Sequence, residues 1–340
     1  MNRDFLSCDW GTTSFRLGRV AGPERSVIRE IREPAGARSL YEEALRSGAK
    51  IEAARADVFA RFLNSKLDAL LAGEETPEHN LPLVISGMAS SSVGWRELPY
   101  AKTPFPLDGS GVRSQELNWS KPEWLGPTYL ISGVATACDM MRGEETEIIG
   151  LMSEPSLAAL RERSLLILPG THSKHVWIED QSVVDFRTFM TGELFEVLGR
   201  QSLLRASVEA GARTGSDSLS ESARATFQEG VSWAKVHGLA GGLFRVRTRA
   251  VLDHRPLADN TWFFSGLLIG AELESVRRNA GNRPVILGAT RAFAELYGLA
   301  LEMVAGRAIQ CIHLPPEQVE HAAIDAHALF LQNRTMKEAK

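Results

Sequence analysis

The sequence has little cysteine and no long apolar stretch, and these absences exclude several classes of protein. Its 340 residues include only three cysteines, Cys8, Cys138 and Cys311, which are far apart and form no CxxC pair. We therefore expect neither a disulfide framework nor a zinc or redox motif. The longest apolar stretches, such as residues 262–271, are shorter than the roughly 20 residues of a membrane span. Because the N-terminus carries charges and lacks the apolar stretch of a signal peptide, we expect a cytoplasmic protein that binds no membrane.

The sequence also lacks a run of basic residues. Its 38 lysines and arginines are scattered among 42 acidic residues, and the formal net charge is −4. Nucleic-acid binding needs concentrated positive charge to neutralise phosphates, so we expect no nucleic-acid partner. The length favours two domains, because a single hydrophobic core seldom grows beyond roughly 250–300 residues.

Three common motifs are missing as well. The sequence contains no GxxxxGK[ST], no GxGxxG and no GxSxG. Their absence argues against a P-loop, a dinucleotide-binding fold and an α/β-hydrolase, respectively.

What the sequence does contain is a pattern that occurs twice. At residues 4–32, two short strands flank a Gly-Thr turn and a third strand follows. The same order returns at residues 164–189, about 160 residues later, which indicates a duplication. We therefore predict two similar α/β domains, residues 1–152 and 153–340, with a ligand cleft between them. Further strands are predicted at 81–86, 127–132 and 283–288, and helices at 55–71, 143–152, 191–205, 221–235, 261–280, 289–301 and 317–332.

Each copy of the pattern has a turn whose residues suit a phosphate group. Glycine lets backbone N–H groups approach a ligand closely, and small hydroxyls can bind phosphate oxygens. The first turn, Gly11, Thr12 and Thr13, follows Asp9, a hard oxygen ligand for Mg²⁺. The second turn is Gly170, Thr171 and His172, followed by Lys174, whose charge suits a terminal phosphate. Each turn alone is more often a plain structural hairpin, but the pair predicts a clamp for a metal-bound polyphosphate.

Five stretches of the sequence carry a resemblance to a known family. They are "CDWGTTSFR", "MRGEETEIIG", "LPGTHSKHVW", "DFRTFMTGELF" and "SGLLIGAEL". In this order they resemble the signature stretches of the 2-dehydro-3-deoxygalactonokinase family, a branch of the sugar kinase/actin/heat-shock ATPase superfamily. The resemblance implies an α/β fold of two duplicated ribonuclease-H-like (actin-like ATPase) domains around an interdomain nucleotide cleft.

The same resemblance implies an activity and a set of binding residues. It implies a kinase that uses ATP and Mg²⁺ to phosphorylate 2-dehydro-3-deoxy-D-galactonate on its terminal 6-hydroxyl, in galactonate degradation. The two turns match the family's two phosphate loops, with Asp9 on the Mg²⁺ side. An adenosine motif is expected at Gly288, Ala289 and Thr290. The first domain would then hold the first loop and the sugar acid, and the second domain the second loop and adenosine.

Phosphoryl transfer also needs a carboxylate that orients or deprotonates the attacking hydroxyl. Related sugar kinases carry an aspartate that opens a helix before the second phosphate loop, and this sequence has Glu144 and Glu145 there. Glu144 is the first candidate, Glu145 the second and Asp139 a reserve, although acidic residues also simply complement a helix dipole. The sugar acid needs a guanidinium for its carboxylate, hydroxyl partners and an apolar wall. The candidates for these contacts are Arg16, Ser90, Trp95, Arg142 and Arg187.

Two alternatives remain open from the sequence. A kinase of the same fold for another sugar or sugar acid would keep both turns, because small pocket changes shift substrate choice. A non-catalytic sugar sensor on an actin-like scaffold would be expected to lose the turns or the carboxylate, which this sequence retains. The oligomeric state is also left open, a homodimer included.

Overall fold

The structure, a computed structural model, describes residues 4–46, 51–73, 80–209, 219–306 and 309–338. Its strands are β1 (Phe5–Trp10), β2 (Phe15–Ala21), β3 (Ser26–Glu33), β4 (Leu81–Gly87), β5 (Ala101–Lys102), β6 (Phe105–Pro106), β7 (Ser114–Glu116), β8 (Leu125–Ile131), β9 (Val134–Ala135), β10 (Met140–Met141), β11 (Arg163–Leu168), β12 (Ser173–Glu179), β13 (Ser182–Phe189), β14 (Val285–Leu287) and β15 (Cys311–His313). Its helices are α1 (Ala37–Arg46), α2 (Ile51–Leu70), α3 (Glu144–Met152), α4 (Thr191–Gln201), α5 (Glu221–Val251), α6 (Leu257–Asn279), α7 (Arg291–Ala305) and α8 (Pro316–Glu338).

The chain divides into two compact units. The first consists of Met1–Ala158, Gln181–Val183 and His321–Lys340, and the second of Ala159–Asp180 and Val184–Glu320. These bounds differ from the predicted domains 1–152 and 153–340 chiefly at the C-terminus. The last part of α8 lies in the first unit because Ile324 and Phe330 pack in the same core as Phe5. The roles predicted for the two domains stay predictions.

The first unit is built on a sheet with the strand order β3-β2-β1-β4-β8-β7. β1 pairs antiparallel with β2 and parallel with β4, and β4 pairs parallel with β8. Side chains alternate along β1, so its two faces have different neighbours. Leu6 and Trp10 pack in one core with Phe59 of α2, whereas Phe5 packs with Phe330 of α8. Helices therefore cover both faces of this sheet.

The second unit repeats this arrangement. Its strands have the order β15-β14-β11-β12-β13, with β11 antiparallel to β12 and parallel to β14. The central strand, its hairpin and the following parallel strands thus occur in the same order as in the first unit, which confirms the predicted internal repeat. The first residues of β13, Ser182 and Val183, pair with β6 and group with the first unit. On one face of the second sheet, Leu165 and Ile167 pack against Phe227 of α5 and Ile269 of α6.

The helices agree with the sequence prediction in position and differ in extent. The helix predicted over 221–235 continues to Val251 and bends at Gly238, whose φ of 66° and ψ of 178° leave the helical region. α1 was missed by the sequence analysis. Among the described helices, none combines the length and the apolar character that crossing a membrane would require.

Candidate active site

Asp9 lies at the end of the central strand of the first unit. It is half-buried and stands opposite Ser86 of the parallel strand β4, near the point where both strands end. The chain then turns through Gly11–Ser14 before β2 begins, and Thr12 and Thr13 are exposed. The predicted first phosphate loop is therefore a solvent-facing turn directly after Asp9.

Gly36, which the sequence analysis did not single out, supports this turn. A Cβ atom at Gly36 would lie 2.2 Å from both the carbonyl carbon and the carbonyl oxygen of Thr12, so a side chain there would displace the turn. The backbone N–H of Ala37 donates to the Gly11 oxygen at 3.0 Å, and that of Arg38 donates to the Thr12 oxygen at 3.2 Å. N–H groups in the first turn of a helix have no partner within the helix. The start of α1 therefore uses the turn's carbonyl groups as its cap.

Glu145, the second candidate base, accepts hydrogen bonds from groups at the start of α3. Its side chain is buried, and its two carboxylate oxygens accept hydrogen bonds from the backbone N–H of Gly143 at 2.7 Å and the hydroxyl of Thr146 at 3.2 Å. Burial, with a further contribution from the charge of Glu144, raises the pKa of Glu145 to about 8. Because both oxygens are engaged inside the protein, we no longer rank Glu145 as a base.

Glu144 and Glu147 form a carboxylate cluster with Asp9. The two glutamates are three residues apart and thus lie on one face of α3. Burial raises the pKa of Asp9, the positive charge of Arg16 lowers it, and the charge of Glu144 raises it again. Burial, followed by the charges of Asp9 and Glu144, raises the pKa of Glu147 to about 8. The sequence analysis missed Glu147, although its spacing from Glu144 was a usable signal.

This cluster suits a hydrated divalent cation. Mg²⁺ usually keeps several waters and is held by one or two carboxylates together with substrate phosphates. Among the described residues, no group of three or more His, Cys, Asp or Glu side chains is arranged to hold a metal ion by itself. Asp9 stays a predicted Mg²⁺ ligand, in a set that water and phosphate would complete.

Arg142 and Ser90, two of the predicted substrate residues, bind each other. The Arg142 Nη1 donates to the carbonyl oxygen and the hydroxyl oxygen of Ser90, both at 2.5 Å, and its Nη2 donates to the Leu98 carbonyl at 3.3 Å. The guanidinium carbon also lies 4.1 Å from the centre of the Tyr100 ring. These contacts fasten the segment before α3 to the loop that follows β4. The Ser90 hydroxyl is buried and engaged within the protein.

Trp95 corrects one prediction. The residue is only 6% exposed, and its ring packs against the rings of Phe59 and Trp119, with centroids 6.2 and 5.1 Å away. A large aromatic ring gains more from burial in a core than from facing solvent. We therefore remove Trp95 from the candidate sugar-binding residues.

The other two predicted arginines lie in different units. Arg16 stands directly opposite Asp9 in the pairing of β1 and β2, and its Nε is 3.5 Å from a Glu30 carboxylate oxygen. Arg187 is exposed on β13 of the second unit, with its guanidinium carbon 5.5 Å from the Trp177 ring centre. Of these two, only Arg16 lies beside the carboxylate cluster, since its charge lowers the pKa of Asp9.

Asp139, the reserve base, supports a turn between β9 and β10. Its carboxylate accepts a hydrogen bond from the Met140 backbone N–H at 2.7 Å, and its own N–H donates to the Thr136 hydroxyl at 2.9 Å. Glu144 therefore remains the first candidate for the base.

In the second unit, the start of α4 supports the turn Gly170, Thr171 and His172. The Glu193 N–H donates to the Thr171 oxygen at 3.1 Å, and a Cβ on Gly192 would lie 2.6 Å from the Gly170 oxygen. The imidazole Nε2 of His172 lies 2.5 Å from a carboxylate oxygen of Glu193. Both predicted phosphate turns are thus braced by the first residues of a helix.

Lys174 lies at the base of the second turn rather than on its surface. Its side chain is 3% exposed, and its ammonium donates to the His172 carbonyl oxygen at 3.0 Å. A contact between this charge and a phosphate would therefore be made from beneath the turn, and it stays a prediction.

Gly288, Ala289 and Thr290 form the connection between β14 and α7. The Gly288 N–H donates to the Ile167 carbonyl oxygen at 2.9 Å, and Ala289 is buried. β11 and β14 are parallel, so this connection and the second phosphate turn follow neighbouring strands at the same edge of the sheet. The fold thus brings the predicted adenosine and phosphate segments of the second unit to one edge.

Comparisons with known proteins agree with one another. The model of the 2-keto-3-deoxy-galactonokinase family matches residues 9–322. A 2-dehydro-3-deoxygalactonokinase of Escherichia coli (strain K12) is 30% identical over 280 residues, which are 82% of each chain. A protein of Rhizobium meliloti (strain 1021) assigned to the same activity is 32% identical over 305 residues, 88% of this chain and 89% of the relative. A solved structure from Sinorhizobium meliloti, likewise assigned, is 29% identical with a TM-score of 0.73, and the match covers 96% of this chain and 99% of that one.

Proposed function

The chain belongs to the 2-keto-3-deoxy-galactonokinase family, and from this premise we propose that it transfers the γ-phosphate of ATP to the terminal 6-hydroxyl of 2-dehydro-3-deoxy-D-galactonate. Family membership makes the chain a kinase, a phosphotransferase with an alcohol group as acceptor. This membership confirms the resemblance found in the sequence. The two repeated units of strands and helices confirm the predicted α/β fold class. The cleft between the two domains remains a prediction.

The carboxylate cluster of the first unit is the observation that supports the reaction best. Phosphoryl transfer requires alignment, charge neutralisation and a group that orients or accepts the proton of the attacking hydroxyl. Glu144 opens α3, is half-buried and is close enough to Asp9 for their charges to interact. We assign to its carboxylate the role of accepting the proton from the sugar-acid hydroxyl.

Asp9 and the two turns would hold the nucleotide. Asp9 would bind Mg²⁺ directly or through water, and the metal, when bound, neutralises charge on the phosphates. The backbone N–H groups and hydroxyls of Gly11–Thr13 and of Gly170–His172 would bind the phosphate oxygens, with Lys174 adding a positive charge. Gly288, Ala289 and Thr290 would contact the adenosine.

The sugar-acid carboxylate would be bound by an arginine. Arg16 is favoured because it stands opposite Asp9 in the same unit as the carboxylate cluster. Arg142 has most of its donors engaged by Ser90, Leu98 and Tyr100, so it would hold the neighbouring loop in place instead. Arg187 stays a further candidate.

A coupled assay of ADP release over a panel of acceptors tests the proposal. The panel contains hexoses, hexonates and 2-keto-3-deoxy sugar acids, each with Mg-ATP and each without enzyme as a blank. We expect 2-dehydro-3-deoxy-D-galactonate to give the highest kcat/KM. A higher kcat/KM for a hexose, or the absence of turnover with every sugar acid, would contradict the proposal.

A further inference from the structure

Glu272 of α6 is a buried carboxylate that receives hydrogen bonds from four side chains of the second unit. It is only 4% exposed and carries none of the roles assigned above. Its donors are the hydroxyl of Ser173 at 2.6 Å, the Nε2 of His175 at 3.0 Å, the hydroxyl of Tyr297 at 2.8 Å and the hydroxyl of Thr191. We infer that Glu272 is a positioning residue that fixes the second phosphate turn for nucleotide binding, an inference that rests on the proposed function of that turn.

The hydrogen bonds have a defined direction. A carboxylate can only accept, so each of the four partners must donate to Glu272. His175 therefore carries a proton on Nε2, while its Nδ1 lies 3.1 Å from the Ser275 hydroxyl on the next turn of α6. The imidazole is held at both nitrogens by one helix, which fixes β12 against α6.

Two of the four donors lie in the two segments that hold the second phosphate turn in place. Ser173 directly follows Gly170–His172 and is the first residue of β12. Thr191 directly precedes Gly192, which packs against the turn, and Glu193, whose backbone N–H donates to the Thr171 carbonyl oxygen. The segment that leaves the turn and the segment that braces it thus meet at one carboxylate.

Tyr297 extends the link to the predicted adenosine segment. It lies in α7, the helix that begins directly after Gly288–Thr290, and its ring is buried. Through Tyr297 and Thr191, Glu272 connects α7 to the start of α4. A change at Glu272 should therefore weaken binding of the whole nucleotide and leave the acceptor site, which we place in the first unit, unaffected.

The chemistry of the residue supports a positioning role over simple packing. A buried charge is costly unless hydrogen bonds replace its hydration, and an apolar side chain would fill the same space without that cost. An apolar side chain, however, would leave four buried donors without an acceptor and their rotamers undefined. The carboxylate sets the positions of all four.

Glu272→Gln tests the inference because glutamine keeps the size of the side chain and replaces one acceptor oxygen by an NH₂ group. The measurements are ADP binding by titration calorimetry, the KM for ATP, the KM for the sugar acid and the melting temperature. We expect ADP affinity to fall and the KM for ATP to rise by on the order of tenfold, since hydrogen bonds to a charged acceptor are lost. The KM for the sugar acid should change by less than about twofold.

Asn260→Ala is the matched control. Asn260 is in the same helix and is fully buried, and its side-chain NH₂ donates to the Ser207 and Val246 carbonyls at 2.7 Å each. We expect it to lower the melting temperature while leaving ADP affinity unchanged. The inference is overturned if Glu272→Gln keeps wild-type ADP affinity. It is also overturned if Glu272→Gln and Asn260→Ala lower the melting temperature equally and change ADP affinity equally.

Single-donor variants keep the inference testable if Glu272→Gln does not fold. Thr191→Val and Tyr297→Phe each remove one hydroxyl, and each should weaken ADP binding more than Asn260→Ala does. Unchanged ADP affinity in both would overturn the inference. Calorimetry with ADP needs no acceptor, so a wild-type chain that binds ADP but phosphorylates no sugar acid would contradict the proposed function without deciding the role of Glu272.

Discussion

At the scale of single residues, Glu144 is the group on which the proposed chemistry depends most. Glu144→Gln keeps the size of the side chain and removes the proton acceptor, so we expect kcat to fall by about 10²–10⁴-fold. The melting temperature and the KM for ATP should change little. The coupled assay gives kcat, and Asp139→Asn is the control, because the Asp139 carboxylate supports a separate turn. Near-normal turnover in Glu144→Gln would assign the base to another residue.

Glu147 gives the carboxylate cluster a characteristic pH dependence. Its pKa in the folded chain is about 8, compared with its ordinary value of 4.5. As pH rises between these values, the unfolded chain releases this proton while the folded chain keeps it. The free energy of unfolding therefore falls with rising pH, and this loss of stability is complete above about pH 8. Glu147→Gln mimics the neutral acid and should remove this loss.

Urea unfolding at about pH 5 and about pH 8.5, without Mg²⁺, measures the effect. The quantity compared is the free energy of unfolding of Glu147→Gln minus that of wild type. We expect this difference to be larger at about pH 8.5 than at about pH 5, by on the order of 1 kcal/mol or more. Exposed Glu116→Gln is the control and should differ from wild type equally at both pH values. An equal difference at both pH values for Glu147→Gln would show that burial and neighbouring charges do not hold its proton.

The site residues that the sequence singled out are those whose signal is local. Asp9 and Glu144 stand out because each opens or closes an element beside glycine and hydroxyl residues. Gly36 and Glu272 act on turns that are distant in the sequence, so no local pattern reveals them. Trp95 was misassigned because an aromatic residue in a small-residue loop looks the same in sequence whether its ring faces a ligand or a core.

At the scale of elements, the first turn of α1 holds the first phosphate turn, and Gly36 permits the contact. Gly36→Ala would place a Cβ about 2.2 Å from the Thr12 carbonyl and so displace the turn. Misplacing a binding group by about 1 Å can cost up to about 10²-fold in rate. We therefore expect kcat/KM for ATP to fall at least tenfold.

Gly18→Ala is the control for this change. Gly18 lies in β2, and a Cβ there would meet its nearest atoms at 3.7 and 3.8 Å, which is ordinary contact. Its kcat/KM for ATP should stay within about twofold of wild type. A Gly36→Ala variant as active as Gly18→Ala would contradict the support role assigned to α1.

Elements bounded by strong turn signals were predicted well, and the others less so. The hairpins around the two Gly-Thr turns appear where the sequence places them. The length of α5 was underestimated. Its backbone bends at Gly238, and packing against α6 continues the helix beyond the bend. Two-residue strands such as β9 and β10 depend on tertiary pairing and leave no periodicity to detect.

At the scale of the whole molecule, the C-terminal helix completes the core of the first unit. His327 of α8 is fully buried, and its Nδ1 lies 2.8 Å from the hydroxyl of Ser7 in β1, 320 residues away in the sequence. No sequence pattern could reveal such a distant contact, which is why the predicted domain boundary misses it. Burial lowers the pKa of His327 to about 3.

This buried histidine predicts a loss of stability in acid. Below its ordinary pKa of 6.5, the unfolded chain binds a proton that the folded chain does not, so the free energy of unfolding falls as pH decreases towards 3. One proton contributes a slope of at most about 1.4 kcal/mol per pH unit. His327→Asn keeps an acceptor near Ser7 and does not titrate, so its urea-unfolding free energy should fall less than that of wild type between about pH 6.5 and about pH 5. Parallel pH curves for the two proteins would contradict this account.

The central claim is that this chain moves a phosphate from ATP to the terminal hydroxyl of a 2-keto-3-deoxy sugar acid. Phosphorus NMR of the product made from 2-dehydro-3-deoxy-D-galactonate tests it most directly. We predict a new phosphomonoester signal that couples to the two protons on C6 and grows in step with ADP. A spectrum with ADP and free inorganic phosphate only, or with a phosphate on another hydroxyl, would contradict the claim.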